Sequence, residues 1–398
     1  MQSNVKNFGR TQKDIYYFIT YGICFIALGL TVTALGPMLP YLAENVGVSF
    51  AQISFLFTTG SLGYLIGSAG GGRLYDRFKG HHLLILSLIL MVFTVILIPL
   101  TTTFSLLLVI LFLLGLGQGL LDIGGNVNLL WVFQKRVGPY MNALHFFFGV
   151  GAFLSPIILH NVYRWSGEQL HWPFWSLAIL SLPGIAALVF LTSPENPERE
   201  AIENHPKDIN TPLVVAMVFL FFLYVGVEGG FGGWIFTYAT EGHIATEAGA
   251  SYMNAVFWGA LTLGRLISVP LAKKLSPAQL LTGNYLLAIL FLGLILIFPM
   301  QTTVVWIVSA GLGLALSSVF PTLLVLGESR MKISGKVTGL FFLGSSLGGT
   351  LVPMVLGQIF EYIGSYYIML ALFFVSILGL VVLSSVIIKS NRIAEKIR

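Results

Sequence analysis

Two carboxylates stand alone in otherwise apolar surroundings. Asp122 lies in Leu120-Leu121-Asp122-Ile123-Gly124-Gly125-Asn126, and Glu228 in Tyr224-Val225-Gly226-Val227-Glu228-Gly229-Gly230. If these stretches cross a bilayer, an acid at the centre costs about 2.5–3.5 kcal/mol on insertion scales, so its presence calls for a function. Gln118, Asp122 and Asn126 recur at i, i+4 and give one helix face three polar groups. Such a face offers acceptors and amides to a hydroxylated ligand, and its carboxylate can take up a proton or hold a sodium ion. A hydrogen-bonded cluster that only joins helices is the alternative for the same residues. Near Glu228, the run Gly229-Gly230-Phe231-Gly232-Gly233-Trp234 is poor helix and predicts a locally unwound segment. Trp234, Phe236 and Tyr238 suit stacking on the apolar face of a sugar ring, and Tyr238 equally suits an interfacial aromatic belt. His145, in Asn142-Ala143-Leu144-His145-Phe146-Phe147-Phe148, can relay a proton, bond a hydroxyl or simply pack. Asn254 and Trp258 share a helix face one turn apart, and Arg265 further along is assigned to a cytoplasmic gate.

The elements that position these residues follow from composition. Of the 398 residues, 56% are hydrophobic and only 9% charged, and the mean hydropathy is +0.88. A soluble domain carries about 25% charge, so the chain is read as an all-α, multi-pass membrane protein without a soluble domain. Twelve helices are predicted, at roughly 15–40, 52–75, 82–101, 104–133, 139–162, 172–192, 212–240, 250–272, 278–299, 303–327, 335–360 and 365–388. With the N-terminus inside, every one of the 21 Lys and Arg residues except Arg164 falls on the inner side. The net charge of +5 therefore reports topology rather than nucleic-acid binding. Both termini are predicted to be cytoplasmic, in the plasma (inner) membrane. The stretch from Ile15 to Pro40 is too long for a cleavable signal, and the single cysteine, Cys24, can form no intrachain disulfide.

The one sizeable polar interruption, 194–211, predicts a cytoplasmic linker between an N-terminal bundle at 1–193 and a C-terminal bundle at 212–398. The halves echo each other at an offset near 197: Gly151 and Pro156 map onto Gly348 and Pro353, and Leu74-x-x-Arg77-Phe78 maps onto Leu271-x-x-Lys274-Leu275. The stretch Gly344-Ser345-Ser346-Leu347-Gly348 matches a hydrolase pattern, but in a membrane helix it is packing. No metal or cofactor motif is found, and an enzyme is not expected.

Between the second and third helices stands Gly72-Arg73-Leu74-Tyr75-Asp76-Arg77-Phe78-Lys79-Gly80. It resembles the loop signature of the major facilitator superfamily, with the final Gly-basic pair altered to Lys79-Gly80. This resemblance implies two pseudo-symmetric six-helix bundles with a substrate site between them, and a gating role for Arg73, Asp76 and Arg77, which Arg265 is expected to share from its position on the eighth helix. Further segments resemble the fucose–proton symporter family and its sodium-dependent glucose transporter branch. They are Tyr224 to Glu228 continuing to Trp234 and Tyr238, Phe320-Pro321-Thr322, Gly348-Gly349-x-x-x-Pro353, Asp122-x-x-x-Asn126, and His145 to Ala152. In that family the helix-four acid, here Asp122, couples the cation and contacts sugar. The chain departs from the fucose symporters by having Leu35-Gly36-Pro37 where they carry a second acid, and His145 and Phe148 at sugar-binding positions.

The expectation is a secondary active transporter for uptake of a sugar or polyol. Asp122 and Glu228 are the cation-coupling residues, with a proton preferred to sodium. Gln118, Asp122, Asn126, His145, Glu228, Trp234, Asn254 and Trp258 are the substrate-binding residues. A monomer is the family default. Rival readings are a proton-driven exporter of apolar compounds and a transport-dead sugar sensor.

Overall fold

A helix in hydrocarbon satisfies its backbone N–H and C=O groups internally, and this chain is built that way throughout. The computed structural model describes residues 2–195, 211–331 and 335–397, with side chains from 13 on except at 135, 335, 336 and 389–397; among these there are helices and turns and no strand. Twelve helical stretches are long and apolar enough to cross a membrane: Lys13–Val32, Phe50–Arg77, Gly80–Leu100, Phe104–Phe133, Val137–Trp165, His171–Phe190, Thr211–Glu241, Glu247–Ala272, Pro277–Ile297, Thr302–Arg330, Val337–Tyr362 and Tyr366–Ile388. They are called spans one to twelve below. The protein is an integral, multi-pass membrane protein.

The helix predicted over 15–40 is two helices: the first ends at Val32, and Leu35–Val46 follows. That second helix closes at Gly47, whose φ of +66° is a left-handed conformation open to glycine at little cost. At the break, Thr33 Oγ1 donates to Ala152 O at 3.3 Å. That carbonyl lies four residues before Pro156, which has no N–H to give it.

The chain divides into two compact units, Met1–Gly47 with Thr59–Glu200, and Val48–Thr58 with Ala201–Arg398. The division differs from the one expected at 194–211, because residues 48–58 pack with the second unit; residues 196–210 of the expected linker lie outside the described residues. Within the second unit, Ser54 interrupts span two between Phe50–Ile53 and Phe55–Arg77. Ser54 Oγ donates to Ala51 O and Met354 O, Gln358 Nε2 donates to Ala51 O at 2.7 Å, and Phe50 N donates to Glu361 Oε2 at 3.0 Å.

Each unit uses small residues to bring backbones together, as expected where lipid gives helices no hydrophobic reason to associate. A Cβ on Gly151 of span five would stand 2.1 Å from Ile26 O of span one, and one on Gly348 of span eleven would stand 2.1 Å from Phe222 O of span seven. The repeat legible at an offset near 197 is therefore a repeat of helix packing. Ser345, in the hydrolase-like pattern, donates to Phe341 O of its own helix.

The local unwinding predicted at Gly229–Gly233 does not occur: span seven is one continuous helix, Thr211–Glu241. Glycine's helix penalty of about 1 kcal/mol is smaller than the cost of leaving backbone groups unpaired in hydrocarbon. The glycines serve as seats for neighbours instead. Added Cβ atoms would meet Leu356 and Leu372 at Gly230, Trp258 at Gly232 and Phe57 at Gly233.

Span nine starts with a capping box. Ser276 Oγ accepts from Gln279 N, Gln279 Oε1 accepts from Ser276 N at 3.0 Å, and Pro277 follows at the first helical position. Ser276→Ala is expected to cost about 1 kcal/mol. In a thermal-shift assay in detergent this appears as a fall of about 2 °C or less.

Candidate functional site

In the first unit Asp122 and Asn126 of span four bond each other, and Gln118 bonds another span. Asn126 Nδ2 donates to Asp122 Oδ1 at 3.2 Å and to Asp122 O at 2.9 Å. Gln118, nearly buried, donates from Nε2 to Thr31 Oγ1 of span one at 3.2 Å. The second carboxylate oxygen of Asp122 accepts from Tyr64 Oη of span two at 2.5 Å. Sequence reading missed Tyr64. A tyrosine inside an apolar helix carries no mark of a partner 58 residues away, although the glycines flanking it, Gly60, Gly63 and Gly67, mark a closely packed helix face. His145 of span five is half-buried and stands edge-on to Phe25, with ring centroids 5.8 Å apart. Phe25 in turn rests on Gly125, where a Cβ would be 2.2 Å from its ring.

In the second unit Glu228 accepts a hydrogen bond from Tyr224, one turn earlier on the same helix. Arg265 of span eight lies within electrostatic reach of both Glu228 and Tyr224. Glu228 thus has a cation in its own unit. Asp122 has two neutral donors, and the ion pairs among the described residues, Arg136–Asp14 and Arg164–Glu168, lie elsewhere.

Asn254 is fully buried and donates from Nδ2 to Gly232 O at 2.5 Å, which ties span eight to the glycine seats of span seven. Its Oδ1 and the Nε1 of Trp258, which is 8% exposed, have no hydrogen-bond partner among the described residues. A buried acceptor and a buried donor one turn apart on the helix thus each lack a partner, and a hydroxyl group can serve as either.

Trp234 does not offer a ring face for stacking. It is 0% exposed, its Nε1 donates to Pro353 O at 2.9 Å, and Phe50, Phe57 and Phe360 pack around it. Tyr238 is likewise buried and bonds Pro299 O. Arg73, Asp76 and Arg77 are exposed in the last turns of span two, which continues to Arg77, so the motif expected as a loop is largely helical. Its altered end has a packing reason. Gly80 opens span three against span four, where a Cβ would stand 2.0 Å from Asn128 Oδ1.

A model of the Major Facilitator Superfamily matches residues 21–353. The chain is 28% identical to "Sodium-dependent glucose transporter 1" of Homo sapiens over 369 residues, covering 84% of this chain and 71% of that protein. It is 30% identical to the Xenopus laevis protein of the same name over 358 residues, covering 83% and 73%. Among solved structures it resembles the nucleoside transporter NupG, with a TM-score of 0.76 at 14% identity over 94% of this chain and 99% of that one. A bacterial homolog of the human lysosomal transporter Spinster gives a TM-score of 0.75 at 14% identity, covering 96% and 98%. At such identity these structures speak for the fold alone.

Proposed function

Because this chain belongs to the major facilitator superfamily, in the branch of the sodium-dependent glucose transporters, we propose that it imports a hexose or related polyol by alternating access, driven by a cation bound at Asp122. The observation that carries the sugar reading is the unpartnered pair on span eight, Asn254 Oδ1 and Trp258 Nε1. Buried polar atoms are nearly always satisfied, and sugar hydroxyls, which both donate and accept, are the partners proposed for these two. The Trp258 ring, 8% exposed and seated on Gly232, takes the place of the 0% exposed Trp234 as the ring proposed to meet the sugar. Gln118, Asn126, His145 and Glu228 are the other residues proposed to bind the sugar. Arg73, Asp76 and Arg77 act at the cytoplasmic gate. The positive-inside bias supports cytoplasmic termini in a cell membrane, and the working unit is a monomer.

A proton is the coupling cation that a lone carboxylate with neutral donors serves most simply. Sodium is the second reading, favoured by the names of the human and Xenopus relatives.

The test is counterflow and gradient-driven uptake in proteoliposomes, with a panel of hexoses and polyols and with proton and sodium gradients imposed separately. Trp258→Phe keeps an aromatic ring, though a smaller one, and removes the donor. It is expected to raise the half-saturating sugar concentration by on the order of tenfold, the worth of one hydrogen bond. An unchanged value would exclude the indole N–H from sugar recognition. Apolar cargo moving outward, or sugar binding without flux, would replace this reading with an exporter or a sensor.

A further inference from the structure

Asp122 owes its environment to a contact between spans two and four that glycines impose on both sides. A Cβ on Gly63 would lie 2.0 Å from Phe112 O, and one on Gly67 would lie 2.3 Å from Leu116 O. From the other helix, a Cβ on Gly115 would lie 2.0 Å from Gly60 O, and one on Gly119 would lie 2.2 Å from Tyr64 O. The two helices therefore touch backbone to backbone over two turns. Their register is fixed by contacts that no side chain could occupy. Tyr64 stands in the middle of this contact, and the register delivers its hydroxyl to Asp122 Oδ2 at 2.5 Å. Its own backbone carbonyl is among the atoms that Gly119 admits.

We infer that Tyr64 is a positioning residue for the coupling carboxylate, whose hydroxyl competes with the transported cation for Asp122. The inference rests on Asp122 being the coupling site. Its chemistry is simple. A hydrogen bond to an ionised carboxylate stabilises that ion, and a phenol held in place by two backbones cannot drift away from it. An arriving proton or sodium ion must turn the Tyr64 O–H aside, and on the cation's departure the O–H returns. Tyr64 thus weakens cation binding and provides the vacated carboxylate with a partner, which favours release after each cycle. Glu228 is arranged differently. Its tyrosine is on its own helix, and Arg265 lies within electrostatic reach in the same unit.

Several other titratable groups on the elements around span four have contacts of their own. Tyr75 of span two donates to Leu120 O. Tyr21 of span one bonds His81 of span three at 2.9 Å. His145 of span five stands against Phe25, and Cys24 of span one is buried facing Gly184 of span six. Tyr64 is the one whose hydroxyl bonds the carboxylate.

The experiment measures, in proteoliposomes at saturating sugar, the cation concentration giving half-maximal uptake, titrated once as protons and once as sodium. Tyr64→Phe is expected to lower that concentration by on the order of tenfold for whichever cation drives transport, with the sugar KM unchanged. Replacing Tyr64 with 3,5-difluorotyrosine, a stronger donor of nearly the same shape, is expected to raise it. This second variant carries the test if the first does not fold. A half-activating concentration unmoved in both variants, or moved in the opposite senses, overturns the proposal. If Asp122→Asn uncouples transport while both Tyr64 variants behave as wild type, Tyr64 alone is misassigned. If wild-type flux ignores both cations, the coupling role of Asp122 is wrong and the inference falls with it.

Discussion

Asp122→Asn is expected to abolish sugar accumulation while leaving sugar exchange intact. The amide has nearly the carboxylate's shape: its oxygen can accept from Asn126 and its NH2 can donate to the turned Tyr64 hydroxyl, the two groups that meet the side-chain oxygens of Asp122. The span-four contact should therefore survive. What is lost is the one charge in the first unit's polar face that a cation can answer. One elementary charge crossing 100 mV is worth about 2.3 kcal/mol, which sustains an accumulation ratio on the order of 50-fold. In the variant that ratio should fall to about 1, while counterflow at saturating sugar continues, because exchange draws on no gradient. Full gradient-driven accumulation by Asp122→Asn would remove Asp122 from coupling. The parallel Glu228→Gln variant should retain accumulation, since that acid has Tyr224 on its own helix and Arg265 within electrostatic reach in its own unit.

Gly63→Ala is expected to damage both stability and coupling through a single methyl group. The added carbon would lie 2.0 Å from Phe112 O, a backbone atom that cannot rotate away. Spans two and four must then separate. Overpacking of this kind costs about 1–3 kcal/mol, and the separation also forfeits the Cα–H···O contacts that such close helices make. The same movement withdraws Tyr64 from Asp122, so accumulation should fall even where folded protein is recovered. Gly70→Ala is the control. That glycine is exposed on the same helix and nothing lies within 4 Å of an added Cβ. Its substitution should be neutral, or stabilising by up to about 1 kcal/mol through helix propensity. Thermal unfolding in detergent and uptake assays read both variants. Equal behaviour of the two would mean that the glycine contact has no role in holding spans two and four in register.

The sequence determined the elements and the chemistry they carry. Span positions follow from runs of about 20 apolar residues, because hydrocarbon leaves the backbone no partner outside the helix. The lone acids at Asp122 and Glu228 were visible because charge in such a run is costly. The i, i+4 spacing of Asp122 and Asn126 placed them together because it is a property of one helix. Contacts between helices required the tertiary structure. Nothing local ties Tyr64 to Asp122, Arg265 to Glu228, or Ser54 to Met354; those pairs exist because backbones approach at glycines on helices far apart in the chain. The Gly229–Gly233 run shows the same limit. Its composition signals weak helix, but the absence of water keeps it helical, and only the neighbours Trp258 and Phe57 reveal that the missing side chains make room for others. Local spacing is written in the order of residues. Which distant surfaces meet depends on the packing of whole helices, and that was decided by the folded structure.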